Sequence, residues 1–255
     1  MRSLRALLIG LLALASGPAA AETLVTSLSS HRVAISSNYT GTSIAVFGAL
    51  ERDAQTIPRS GSYDIVITVR GPRQTLVVRE KEPAGPVWIN QEQQLFPDAP
   101  AYLGVFSTRP IDEVTGDAIR RRQRIGLAAI VAHPEFTADR GAADEPFRDA
   151  LLRLKRAENL YMEEDRAVTF LTPTLFRASV PLPATAPPGN YDVEVKLFAD
   201  TVILARTQTN FELVKIGFEQ QVGEIARDWS AFYGLATAGI ALLFGWIANV
   251  VFRRD

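Results

Sequence analysis

The stretch YDIVITVRGPRQTLVVRE (63–80) decides the fold. Tyr63, Ile65, Ile67 and Val69 fall on one side of an extended chain, and Asp64, Thr68 and Arg70 on the other. Val66 is the one apolar exception on the polar side. Such period-two alternation marks a strand with one buried face. GPRQ (71–74) then reads as a turn, and TLVVRE (75–80) as the partner strand that returns beside the first. The same grammar recurs in YDVEVKLF (191–198), where Tyr191, Val193, Val195 and Leu197 share a face and Ala199-Asp200 turns the chain into TVILARTQTNFELVKIG (201–217). The two segments share a Tyr-Asp start and a tight return. About eight positions are too few to separate a duplicated Ig-like module from ordinary hairpin likeness.

Around these hairpins the reading is β-rich. TSIAVFGAL (42–50) is β-branched and aromatic, EPAGP (82–86) is a loop, and VWIN (87–90) is a short strand. FPDAP (96–100) is a break, and AYLGVFS (101–107) is again a strand. The composition then changes. IDEVTGDAIRRRQRIG (111–126) is expected to be helical with Asp112 as its cap. IGLAAIVA (125–132) is too short to span a bilayer and is expected to be buried. FRDALLRLKRAENLYMEED (147–165) is the best amphipathic helix, with Phe147, Leu151, Leu154 and Tyr161 on its apolar side. VTFL (168–171) and LFRASVPL (175–182) return to strands. The expected fold is a mainly β, sandwich or Ig-like ectodomain with an α-helical insertion, followed by one C-terminal transmembrane helix. The expected division is a sandwich-like domain (22–100) and an α+β domain (101–218), with one continuous domain as the alternative.

The ends of the chain set its topology. Arg2 and Arg5 precede the apolar run 6–15, Gly17 and Pro18 break it, and AAA (19–21) offers the small residues a signal peptidase reads. Residues 1–21 therefore read as an export signal cut after Ala21. FEQQVGEIARDW (218–229) reads as a juxtamembrane helix, with Val222, Ile225 and Trp229 in one stripe. From Ala231 to Phe252 no residue is charged. As a helix this run is about 33 Å long, enough to cross a hydrocarbon core of about 30 Å. Trp229 and Tyr233 lie near one interface and Arg253 and Arg254 just past the other, which puts the N-terminal part outside the cell membrane and residues 253–255 inside.

Composition excludes several chemistries. The chain has 27 basic and 28 acidic residues and no cysteine. Disulfides, thiolate zinc sites, iron–sulfur clusters and cysteine nucleophiles are thereby ruled out. Without Arg2, Arg5, Arg253, Arg254 and Asp255, the exported part carries 23 basic and 27 acidic residues, a net of −4. Neither nucleic acid nor an anionic lipid surface is called for. The two histidines, His31 and His133, are far apart and have no Asp or Glu at ligand spacing. No G-x-S-x-G, Walker or Rossmann motif occurs. The expectation is a non-enzymatic protein without metal or cofactor.

Two features remain as candidate sites. Arg120, Arg121, Arg122 and Arg124 form the densest positive run and could hold a small anion, although Glu113 and Asp117 lie one or two turns away and suit a solvated helix face. Thr237, Ala241, Gly245 and Asn249 fall every four residues along the span, with Gly234 and Ala238 on a neighbouring line. Small residues at this spacing let another helix approach closely, and Thr237 or Asn249 could hydrogen-bond across the contact.

FPDAPAYLGVFS (96–107), ALLRLKRAENLY (150–161), LFRASVPLPATAPPGNYDVEVKLF (175–198) and GLATAGIALLFGWIANVVFRRD (234–255), in this order, resemble the Alph_Pro_TM family. These are alphaproteobacterial transmembrane proteins without an assigned function. The resemblance covers nearly the whole mature chain. It implies an inner-membrane protein with a periplasmic domain and, since members are often encoded near sulfite-exporter-like permeases, an accessory role beside an anion transporter. It supplies no catalytic residues. The expected partners are thus the lipid bilayer and either a polytopic permease or a second copy of the span. The alternative is a periplasmic small-ligand-binding or envelope-sensing domain.

Overall fold

The computed structural model describes residues 22–35, 41–51, 62–133, 145–215 and 230–252. The signal segment, the juxtamembrane stretch 218–229 and the tail 253–255 lie outside the described residues. By its contacts the chain forms two units, one reaching Leu213 and the other holding Val214 onward with residues 34–39.

The first unit is mainly β. Its strands are β1 (Thr23–Leu28), β2 (Arg32–Ile35), β3 (Thr42–Glu51), β4 (Asp64–Arg70), β5 (Arg73–Ala84), β6 (Val87–Pro100), β7 (Leu103–Ser107), β8 (Tyr161–Glu164), β9 (Val168–Thr172), β10 (Leu175–Leu182), β11 (Gly189–Ala199) and β12 (Val202–Lys215). A four-stranded sheet runs β1-β3-β10-β9, and a six-stranded sheet runs β2-β12-β11-β4-β7-β8. Both sheets mix strands from before and after residue 100. In β10, Phe176, Ala178, Val180 and Leu182 are buried and alternate with less buried residues, and the first three face the buried Gly48, Val46 and Ile44 of β3. Tyr102 ties the sheets together: its hydroxyl donates to the Pro181 carbonyl of β10 at 2.7 Å, and its ring lies 5.6 Å from that of Tyr191 on β11. These are the layers of a sandwich.

The strand 63–70 is where the sequence places it, but its partner is different. β4 pairs with β11 on one side and with β7 on the other, and β5 pairs with β6. Gly71-Pro72 is therefore not a turn. The Gly71 amide donates to Tyr102 and the Pro72 carbonyl accepts from Ala101, both at 2.8 Å, so the two strands run straight through. An alanine methyl at Gly71 would lie 2.9 Å from Cβ of Tyr102 and 3.1 Å from the Tyr191 ring. The glycine is there for close approach and does not reverse the chain. The reversal comes at Gly85-Pro86, where Gly85 takes φ +67°. Residues 64–107 thus form one long hairpin whose base sits in the six-stranded sheet and whose outer half, β5–β6, leaves it. FPDAP is part of β6, with the left-handed Asp98 as its irregularity. The 191–215 hairpin forms as read, with Asp200 and Thr201 at its turn.

Helices cover the second face of the six-stranded sheet, so two of the three polar positions of β4 do not reach solvent. Asp64 and Thr68 are buried along with Val66. Asp64 is satisfied by a bidentate contact from Arg109, at 2.9 and 2.6 Å, and by the Thr108 hydroxyl. The covering helices are α1 (Ile111–Val114), α2 (Asp117–Gln123) and α3 (Leu127–Val131). The single helix expected over 111–126 is broken at Thr115-Gly116, and Asp112 is not its cap: Pro110 and Gly116 precede the two pieces and neither makes a side-chain cap. α3 is the buried apolar segment, its first amide capped by Glu163 at 2.7 Å. α4 (Glu145–Ala157) is shorter than the expected 147–165. It ends where Asn159 turns left-handed at φ 57°, and Tyr161 opens β8, which lies parallel to β7. Tyr161 is thus not on a helix face; its hydroxyl donates to the Pro100 carbonyl at 2.7 Å, and Leu154 is half exposed.

The second unit contains α5 (Ser230–Phe252), 23 residues without a charge. Among the described residues no helix is long and apolar enough to cross a membrane. The side chains of α5 are described at Gly234 and from Ala238 to Asn249, a run of twelve residues, and all are exposed.

Candidate functional site

Three places stand out. The first is a cleft where the long hairpin leaves the six-stranded sheet. It encloses about 650 Å³ and is walled by Arg70, Gly71, Pro72 and Arg73 from the hairpin. Asn190, Asp192 and Glu194 of β11 and Gln208 and Asn210 of β12 line the opposite side. The register explains the assembly. Asp192 lies between Arg70 and Asn210, Glu194 between Thr68 and Gln208, and Lys196 between Val66 and Arg206. With side chains alternating along each strand, these residues share one face of the sheet.

Glu194 and Lys196 are only 5% and 2% exposed, unusual for charged residues. Glu194 Oε2 accepts from Lys196 Nζ at 2.8 Å and from Arg70 Nη1 at 3.4 Å, and its Oε1 lies 3.8 Å from Arg206 Nη1. Lys196 Nζ also donates to the Gln123 carbonyl at the end of α2, at 3.2 Å. Burial alone would push the Glu194 carboxyl up, but the hydrogen bond from Lys196 and the charges of Lys196, Arg70 and Arg206 outweigh it and hold the group below the usual carboxylate range. For Lys196 burial wins: its ammonium sits below the usual lysine value despite Glu194. One desolvated carboxylate thus serves three cations, which leaves this part of the sheet locally positive.

The second place is the tip of the β5–β6 ribbon. Val87, Trp88 and Ile89 are 55%, 69% and 43% exposed. Further down, the cross-strand pair Val77 and Leu95 is also exposed, while Val78 and Phe96 are buried. From Pro83 to Gln91 the tip carries no charge. The third place is α5, whose Leu242, Phe244 and Trp246 are all well exposed.

The sites expected from sequence fall as follows. Arg120 donates to Asp117 at 3.1 Å, Arg121 and Arg122 are exposed, and Arg124 closes α2 in the left-handed conformation at φ 53°. On α5, Ala241, Gly245 and Asn249 are exposed, no other group lies within 4 Å of a methyl built at Gly245, and the Thr237 side chain is outside the described residues. His31 Nδ1 lies 3.1 Å from the Asn210 carbonyl. Among the described residues no group of three or more His, Cys, Asp or Glu is placed to hold a metal. Sequence reasoning missed the cleft. Its one signal was the pair of charges, Glu194 and Lys196, inside a strand flanked by apolar positions, and alternation showed only that both lie on the face opposite Tyr191, Val193, Val195 and Leu197.

No curated protein and no solved structure matches the chain. The family model described as "Putative transmembrane protein (Alph_Pro_TM)" matches residues 23–254, nearly the full length, and the chain belongs to that family.

Proposed function

We propose that the chain is a single-pass protein of a bacterial inner membrane, with a periplasmic N-terminal part that acts as a non-enzymatic accessory module on a polytopic membrane protein, an anion permease in the first instance. The β5–β6 ribbon carries this reading. It projects β5, twelve residues long and so about 40 Å, beyond the sheet, and it ends in an uncharged tip with Trp88 at 69% exposure. Exposed aromatic and aliphatic side chains on a projecting element favour burial against a partner, and Trp is the residue most often found at the centre of such contacts. Membership of a transmembrane family supports the anchor, as does the absence of charge from residue 231 to residue 252 in the sequence. Within the membrane the stripe Thr237, Ala241, Gly245, Asn249 would meet a helix of the same partner.

Crosslinking in native membranes tests this. A photoreactive residue at position 88 is expected to give one discrete adduct with a polytopic protein, and Val87→Ser with Ile89→Ser to reduce its yield several-fold. Ala241→Leu with Gly245→Leu should weaken the same complex. Equal partner yield from both double variants overturns the proposal.

A further inference from the structure

We infer that the cleft beside Arg70 binds a hydroxylated organic anion, a sugar acid or sugar phosphate. At about 650 Å³ it has the size of small-molecule pockets, roughly 300–1,000 Å³. Charge selects the sign of the ligand. Among the lining residues Arg70 and Arg73 balance Asp192 and Glu194, and Lys196 and Arg206, which contact Glu194 from outside the lining, add two positive charges. Glu194 is consumed by its three cations and is buried, so it does not repel an anion as an exposed carboxylate would. A guanidinium carries five N–H donors, and the Arg70 contact to Glu194 engages one nitrogen at a long 3.4 Å, leaving capacity for a bidentate grip on a carboxylate or phosphate. The rest of the wall selects the body of the ligand. Asn190, Gln208 and Asn210 offer donors and acceptors together, and exposed Asp192 offers acceptors only. Hydroxyl groups satisfy both; a purely apolar body would satisfy neither. The buried Lys196–Glu194 pair fixes the floor, since Lys196 also holds the end of α2.

Isothermal titration of the full chain in detergent tests the site with glucose 6-phosphate, glucuronate and inorganic phosphate. Both sugar anions are expected to bind with Kd about millimolar or tighter. Arg73 is exposed, so Arg73→Gln should fold normally and weaken both by about tenfold or more. Arg70→Lys, which keeps the charge and loses the fork, should weaken them too. Asp192→Asn should weaken glucose 6-phosphate more than inorganic phosphate, whereas Arg121→Gln, on α2, should change nothing. Absence of binding by both sugar anions at about 10 mM, or wild-type affinity in both arginine variants, overturns the inference.

Discussion

Lys196 and Glu194 form an ion pair with both partners buried. Removing the carboxylate leaves a buried ammonium without its counter-charge, so Glu194→Gln is expected to cost about 3–5 kcal/mol, read by chemical denaturation. Glu194→Leu with Lys196→Met should recover much of that loss, because an apolar pair of similar volume needs no compensation. The same carboxylate sets an acid limit. Its folded pKa lies below the usual 4.5, so the unfolded chain takes up the proton first as pH falls. The stability it contributes is complete above that value and drains as pH drops through the folded pKa. Denaturation midpoints between about pH 5 and pH 2 should fall less steeply in the double variant than in the wild type. A steeper fall would contradict the assignment. This network was not legible in YDVEVKLF, because alternation tells which residues share a face and not what covers that face. The helices that desolvate Glu194 come from 111–131, far away in sequence.

A glycine of β3 is equally specific. Gly48 pairs with Phe176 of β10, which pairs in turn with Phe170 of β9, and the two rings meet edge to face at 6.0 Å. Phe176 is fully buried, and a methyl at residue 48 would overlap its ring. Gly48→Ala should therefore lower stability by about 1–3 kcal/mol, and thermal unfolding should show Gly48→Ala with Phe176→Leu closer to wild type than the sum of the singles.

Among the elements, strands proved easier to find than their partners. β4, β10 and β11 lie where alternation puts them, yet the hairpin after Arg70 was assigned to the wrong mate. Gly-Pro is a common turn signal, but here Gly71 accommodates Tyr102 and Tyr191, and Pro72 sits in extended chain where only its carbonyl is needed. The true reversal at Gly85 was visible as EPAGP. What sequence could not reveal is that β5 and β6 run on past the sheet, since their lengths were hidden by FPDAP. Exposed and apolar, the tip of the ribbon adds little to the core, unlike Val78 and Phe96 further down. Trp88→Ala is expected to shift unfolding by no more than about 0.5 kcal/mol, while costing partner crosslinking several-fold. A large loss of stability in this variant would mean that the tip is buried in the folded chain and is not a docking element.

For the whole molecule, the position of α5 relative to the membrane governs every functional reading. With the proposed orientation the ribbon could meet only the outer face of a permease, and the Arg70 cleft could sample only periplasmic solutes. The chain has no cysteine, so single cysteines report topology without background. Lys81→Cys lies on the exposed ribbon and Asp255→Cys lies beyond α5. With an inner-membrane anchor of the proposed orientation, a membrane-impermeant maleimide applied to spheroplasts should label Lys81→Cys at once and Asp255→Cys only after lysis. Two arginines at 253 and 254 favour this orientation over its inverse, because basic residues flanking a span are retained on the cytoplasmic side. Labelling of both cysteines before lysis would mean that α5 does not cross, and then the small-residue stripe would have to find its partner outside the bilayer. The reverse pattern would place the ribbon and cleft in the cytoplasm and end the periplasmic reading, while leaving the chemistry of the cleft to be tested against cytoplasmic anions.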